Sequence, residues 1–241
     1  MKILALETSS KAVSCALWAD GVCAAFSYQN SGLTHSRTLM PMISNMLGSA
    51  ETPLDRVDVI ACSRGPGSFT GLRIGVAAAK GMAWARDLPC AGVSTLEAMA
   101  AQSAAVPGIV AAVMDARRNQ FYNALFDCSG TVPVRLCEDR AVGIDDLKKE
   151  LIRMGKPVFL VGDGAELCYT MMKDVEISVT LAAEGHRWQT AWGVALCAAA
   201  MAQRGELTTA AALTPVYLRL PQAERERLEK LSAGQPGPDA Q

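Results

Sequence analysis

The sequence predicts an α/β protein built from two related halves in tandem. Two observations carry this. Strand-like apolar runs give way to helix-spaced apolar residues in the order βββαβαβα over the first half. The second half repeats βββαβα, and one strand–acid–turn–strand unit occurs in both, from Ile3 to Asp20 and from Ile109 to Asp127. The halves divide as residues 1–106 and 107–220, followed by a charged tail, 221–241.

The elements follow in order. Ile3-Leu4-Ala5-Leu6 is a buried strand that runs into the polar turn Glu7-Thr8-Ser9-Ser10. Ser14 to Ala19 returns, Asp20-Gly21 is a hairpin signal, and Val22 to Tyr28 continues as a third antiparallel strand. From Ser36, Leu39, Ile43, Met46 and Leu47 fall on one helix face, and Gly48 ends that helix. Val57 to Ser63 reads as a strand, 64–71 as a glycine-rich turn, and Thr70 to Arg86 as a second helix. Ala91-Gly92-Val93 is a short strand, and Ser94-Thr95-Leu96-Glu97 has the spacing of a capping box opening a third helix. In the second half, Ile109 to Met114, Phe121 to Phe126 and Val132 to Cys137 are strands, and Ile144 to Met154 is a helix. Pro157 to Val161 is a strand and Ala191 to Gln203 an alanine-rich helix. Gln222 to Lys230 reads as a solvated helix, and Ser232 to Gln241, rich in Gly and Pro, as disordered.

Composition narrows the class. The 241 residues are 50% apolar and 20% charged, which suits a folded chain with a sizeable core. Net charge is −1, +1 in the first half and −2 in the rest, so no basic excess marks an autonomous nucleic-acid binder. The eight cysteines contain no Cys-x-x-Cys pair and several sit in apolar runs. With no signal-like start, they read as reduced thiols of a cytoplasmic protein. The uncharged run Ala98 to Met114 carries Gln102, Ser103 and Pro107-Gly108, which suits a helix end and a strand better than a membrane span.

Four features bear on chemistry. Gly65-Pro66-Gly67-Ser68-Phe69-Thr70-Gly71 lies between a strand and a helix, where free N–H groups could hold an anion or glycines could serve a tight turn. No Lys-Ser or Lys-Thr follows Gly71, so it is not a phosphate-cradling P-loop. Gly71, Gly75 and Ala79 form a row of small residues four apart, with Ala78 and Met82 beside it. The preceding helix carries Met40, Met42 and Met46, so the two helices together suggest a contact face for another helix. Glu7 and Asp115 end the two matching strands, where two-lobed ATPases use carboxylates to hold Mg²⁺. The turns that follow, Thr8-Ser9-Ser10 and Ala116-Arg117-Arg118, lack the glycines that admit a phosphate, and Asp115 with Arg117 suggests an internal or interface ion pair. Gly162-Asp163-Gly164 is a weak candidate for the adenosine end of such a cleft. The two histidines, His35 and His186, are far apart in sequence, and position 39 is Leu, so neither a metal centre nor a Ser/His/Asp set is predicted. His35 reads as a cap or hydrogen-bonding residue.

These blocks, with His35-Ser36, Ser94-Thr95-Leu96, Asp115-Ala116-Arg117-Arg118 and Pro215-Val216-Tyr217-Leu218-Arg219, resemble the bacterial TsaB (YeaZ) family from residue 1 to about 225. The Gly-Pro-Gly-Ser-Phe-Thr-Gly-Leu-Arg block is the most specific of them. The resemblance implies the actin-like (sugar-kinase/actin) ATPase superfold, two tandem RNase-H-like lobes. It implies a role in forming threonylcarbamoyladenosine next to the tRNA anticodon. The related subunit TsaD there transfers threonylcarbamoyl from threonylcarbamoyl-AMP. On this reading the chain is no enzyme and needs no cofactor or metal, because the catalytic relative's His-x-x-x-His is reduced to His35 and Leu39. Its partners are TsaD, with TsaE in a ternary complex, a second copy when TsaD is absent, and tRNA through the complex. The implied pairing surface is residues 36–48 and 70–86, with Leu39, Met42, Met46, Gly71, Gly75, Ala78 and Met82 as contact residues. Gly75→Leu or Met46→Asp is then expected to abolish pairing in a chain that stays folded. A free-standing ATPase or sugar kinase and an M22-type metallopeptidase are the alternatives.

Overall fold

A computed structural model describes residues 1–219; the expectations for 222–230 and 232–241 lie outside the described residues. The first sheet joins β1 (Lys2–Glu7), β2 (Val13–Ala19), β3 (Val22–Gln29), β4 (Val59–Gly65) and β5 (Cys90–Ser94) in the order β3-β2-β1-β4-β5. β1, β2 and β3 are antiparallel, while β4 and β5 run parallel to β1. Asp20 and Gly21 both take positive φ (48° and 92°), the conformation a two-residue hairpin turn requires.

The second sheet has the same plan. β6 (Ile109–Asp115) and β7 (Gln120–Asp127) are antiparallel, and β8 (Val134–Arg135) and β9 (Arg140–Gly143) both pair with β7. β10 (Val158–Val161) and β11 (Val179–Leu181) extend it in parallel on the other side, giving β11-β10-β6-β7-β8. In both sheets the first strand is central, its hairpin partner lies on one side and the two later parallel strands on the other. This duplicated arrangement is that of the actin-like ATPase fold.

Helices cover both faces of each sheet. α1 (His35–Ser49) and α2 (Phe69–Trp84) pack Leu39, Ile43, Met46, Val76 and Met82 against Leu4, Leu6, Cys15 and Leu17. α4 (Ile144–Met154) and α5 (Ala165–Met171) cover the outer face of the second sheet through Leu147, Leu151, Ala165 and Cys168. α3 (Thr95–Ala101) follows β5, with Ser94 accepting the Glu97 N–H as its cap, but its Leu96 and Met99 join the core of the second sheet. α6 (Glu184–Arg187) is a single turn.

The last helix departs from the sequence division. α7 (Ala191–Gln203) lies on the first sheet, packing Val194, Ala195 and Ala198 against Ile3, Ala5 and Ala16. It also meets α3 so closely that a Cβ on Gly193 would stand 2.1 Å from the Ala98 carbonyl oxygen. After it, Thr208 exchanges backbone hydrogen bonds with Cys90, and Lys80 donates to the carbonyls of Ala211 and Leu213. Residues 191–217 therefore pack with the first half, although they follow residue 107 in sequence. The reason is composition: α7 is small and apolar nearly all round, so it can sit between layers but cannot serve as a one-sided cover.

Candidate functional site

The crevice between the halves is built from the two matching hairpin turns. β1 delivers Glu7 into full burial, where Oε1 accepts the Ser9 N–H at 2.5 Å and Oε2 has no partner. Burial pushes its carboxyl above the ordinary value, against the pull of the Ser9 backbone hydrogen bond. The turn then docks onto the start of α2. The Thr8 hydroxyl donates to the Gly71 carbonyl at 2.8 Å, and the Ser68 N–H donates to the Ser9 carbonyl at 2.7 Å. Ser68 caps α2 by accepting the Gly71 N–H at 3.3 Å. His35, at the start of α1, hydrogen-bonds the Ser10 carbonyl through Nε2 at 2.8 Å.

This docking accounts for the glycine block. A Cβ on Gly71 would lie 2.0 Å from the Thr8 carbonyl oxygen, on Gly75 2.2 Å from the Thr8 hydroxyl, and on Gly67 2.6 Å from the Ser9 carbonyl. Gly65 takes φ +132° and would meet the Val216 carbonyl oxygen at 2.2 Å, because Val216 donates its N–H to Arg64. Of the two readings left open for the block, close packing is the one the geometry supports: the chain's own Ser9 carbonyl takes a donor at the α2 N-terminus.

Across the crevice, Asp115 is exposed, and its Oδ1 accepts the backbone N–H of Arg117 at 2.7 Å. Among the described residues no internal Asp115–Arg117 ion pair forms, because the carboxylate closes its own turn, where Arg117, Arg118 and Asn119 all hold positive φ. Asp163 accepts from Gln189 at 2.9 Å and is pushed up by burial. Gly164 fits because a Cβ there would stand 2.7 Å from the Asp115 nitrogen, so this Gly-Asp-Gly also serves packing. A cleft of ≈ 460 Å³ remains, with Lys11, Asp115, Arg117 and Arg219 among its walls. Arg219 reaches over it to the Ala116 carbonyl at 2.6 Å. At its rim Tyr217 packs on Phe69 (ring centroids 4.8 Å apart), and the Arg73 guanidinium lies 3.8 Å from the Phe69 centroid. Among the described residues, no three His, Cys, Asp or Glu side chains converge to hold a metal ion.

Comparison with known proteins agrees with these landmarks. The family model for TsaD, the tRNA N6-adenosine threonylcarbamoyltransferase, matches residues 29–226. The tRNA threonylcarbamoyladenosine biosynthesis protein TsaB of Bacillus subtilis is 30% identical over 232 residues, covering 95% of this chain and 99% of that protein. The chain belongs to the TsaB (YeaZ) family. Its Escherichia coli member is 40% identical over 124 residues, 51% of this chain and 53% of that one. A Pseudomonas aeruginosa crystal structure, described as an uncharacterized protein with similarity to peptidase YeaZ, superposes with TM-score 0.78 at 29% identity. It covers 90% of this chain and 99% of its own.

In the isolated chain the contact residues expected of the family lie mostly inward. Leu39, Met46 and Met82 are buried (1%, 4% and 8% exposed) and face the first sheet of this chain. Gly71 and Gly75 are buried against Thr8. Met42 and Ala78 are half-buried and pack on the same core. The helix spacing that singled these residues out marks the inward stripe, since a two-layer lobe buries the most apolar face of its own helices first. The residues that α1 and α2 turn outward are others: Met40 at 48% and Trp84 at 73% exposed, with Arg37 and Arg73. Between the helices a groove of ≈ 510 Å³ is lined by Met40, Ile43, Leu47, Leu54 and Met82. Sequence reasoning passed over Trp84 because it falls at the helix end, off the small-residue row.

Proposed function

We propose that this chain serves tRNA threonylcarbamoyladenosine formation as a non-catalytic subunit that binds and regulates TsaD through the outward face of α1 and α2. Family membership supports the pathway. The observation that carries the partner role is the contrast between a crevice packed by its own turn and helices that expose Met40 beside an apolar groove and Trp84 at the end of α2, next to residues 207–212. That face also has a sign: neither helix contains an acid, while Arg37 is exposed on α1 one turn from Met40, so an apolar partner surface bearing a carboxylate is complementary. TsaE joins this pair, and tRNA is reached through the complex.

The test is reconstitution of tRNA modification with TsaD, TsaE and this chain. Omitting the chain abolishes product. Met40→Asp together with Trp84→Asp abolishes co-purification with TsaD and product formation while leaving the circular dichroism spectrum and melting unchanged, because both side chains are exposed. Full modification without the chain, or stoichiometric Mg-ATP turnover by the chain alone, overturns the reading.

A further inference from the structure

The cleft of ≈ 460 Å³ between the halves is lined by charges of both signs that do not neutralise one another. Lys11, Arg117 and Arg219 are its cations, Asp115 and Asp163 its carboxylates. Among the described residues none of these five forms an ion pair, whereas Arg135, Arg140, Arg187 and Arg204 each hold a carboxylate. Neutral groups fix three of the five instead. Asp115 accepts the Arg117 N–H, Asp163 accepts from Gln189, and Arg219 donates to the Ala116 carbonyl. Charged side chains anchored in this way are ordered before a ligand arrives, which favours binding one.

The turn after β6 gathers both signs in one place. Gly164 packs on the Asp115 backbone nitrogen, which sets Asp163 beside Asp115. Burial raises the half-buried Asp163 carboxyl, the Gln189 hydrogen bond lowers it, and Asp115 and Lys11 act on it in opposite directions. Arg219 is anchored on Ala116, the residue before Arg117, so two guanidinium side chains belong to the same turn. Aromatic residues supply further wall: Phe69, Tyr122, Trp188 and Tyr217.

We infer that the cleft binds a free α-amino acid with a large, flat side chain, its ammonium at Asp115 and Asp163, its carboxylate at Arg117 and Arg219, and its side chain on the aromatic wall. A zwitterion answers both signs at once, and a carboxylate matches the guanidinium fork. A simple anion leaves two carboxylates uncompensated, and a simple cation leaves two guanidiniums so. Phosphates fit worst, because they lie against Asp115 and Asp163 while the α2 N-terminus is already taken by the Ser9 carbonyl. Glycine or alanine leaves most of the volume to water. The site is independent of the α1/α2 face.

Calorimetry and melting of the full chain with L-tryptophan test this. L-Tryptophan binds saturably at one site and raises Tm. N-Acetyl-L-tryptophan, which lacks the ammonium, and L-tryptophanamide, which lacks the carboxylate, bind at least about tenfold more weakly, as does glycine. Asp115→Asn and Arg117→Gln each weaken L-tryptophan by a similar factor. Both melt like the wild type without ligand, because Asn keeps the turn acceptor and the Arg117 side chain is exposed. Met40→Asp with Trp84→Asp keeps the binding, so failure of this site and failure of TsaD pairing are separate results. No saturable binding, an acetyl or amide analogue as tight as the parent, or Mg-ATP that displaces L-tryptophan overturns the assignment. So does binding that survives both charge variants or is lost in the Met40/Trp84 variant, either of which puts the amino acid elsewhere.

Discussion

The two hairpins that face each other across the crevice occupy the same place in their sheets, yet they have become opposites. Glu7 and Asp115 each end the central strand beside the turn, opposite Ser14 and Phe121 of the returning strand. Glu7 is wholly buried with one oxygen unpartnered, and its turn is pressed onto α2 by contacts that leave no room for a Cβ at Gly67, Gly71 or Gly75. Asp115 is exposed and braces only its own turn. Duplication of a backbone plan therefore did not preserve the environment of a residue. One turn became a packed joint within the first half, and the other holds an exposed carboxylate at the rim of the cleft.

The largest test of that asymmetry is steric. Gly71→Ala forces a methyl into the Thr8 backbone, which cannot yield as a flexible side chain could, and costs about 3 kcal/mol of unfolding free energy in urea melts. Met46→Asp similarly unfolds the chain, in place of the folded, unpaired variant expected from spacing alone, because it leaves a charge buried in the core. A Gly71→Ala chain as stable as wild type would show that the turn is not packed as described.

Charge gives the next test. The folded state raises the Glu7 pKa, so it binds more protons than the unfolded chain does. Stability then falls as pH rises from the ordinary carboxylate value toward the raised one, and the loss persists above it. Glu7→Gln removes that slope and is the more stable chain at neutral pH, because no charge is then buried beside an unpartnered oxygen. Asp115→Asn, at an exposed carboxylate, changes stability by less than about 0.5 kcal/mol at neutral pH. Urea melts read both variants; a Glu7→Gln chain with the pH slope of wild type would erase the contrast.

The smallest effect has the opposite sign. Gly81 lies on α2 like Gly71, but a Cβ there meets nothing within 4 Å. Gly81→Ala stabilises by roughly 0.5–1 kcal/mol through helix propensity alone, read as a rise in Tm.

Much of the architecture was legible in order along the chain. Apolar runs, the Asp20-Gly21 turn, the Ser94 cap and the spacing of Leu39, Ile43 and Met46 are local signals, and each produced its element within a few residues. The elements that escaped notice, β9, β11, α5 and α6, are seven residues or shorter, too brief for a period to emerge. β8 shrank to Val134–Arg135 for a different reason: Val132, Val134 and Leu136 alternate as a strand does, but on an exposed edge where little burial rewards pairing.

The sequence by itself determined the duplicated α/β plan and the family, because each is written in residues near one another along the chain. Only the tertiary structure decided what those residues touch. It set Gly71 and Gly75 against Thr8 instead of a partner helix, carried α7 back onto the first sheet, and left Met40 and Trp84 facing outward. Periodicity marks which side of an element is apolar, but the layers that assemble around it decide whether that side meets the chain's own core or another molecule.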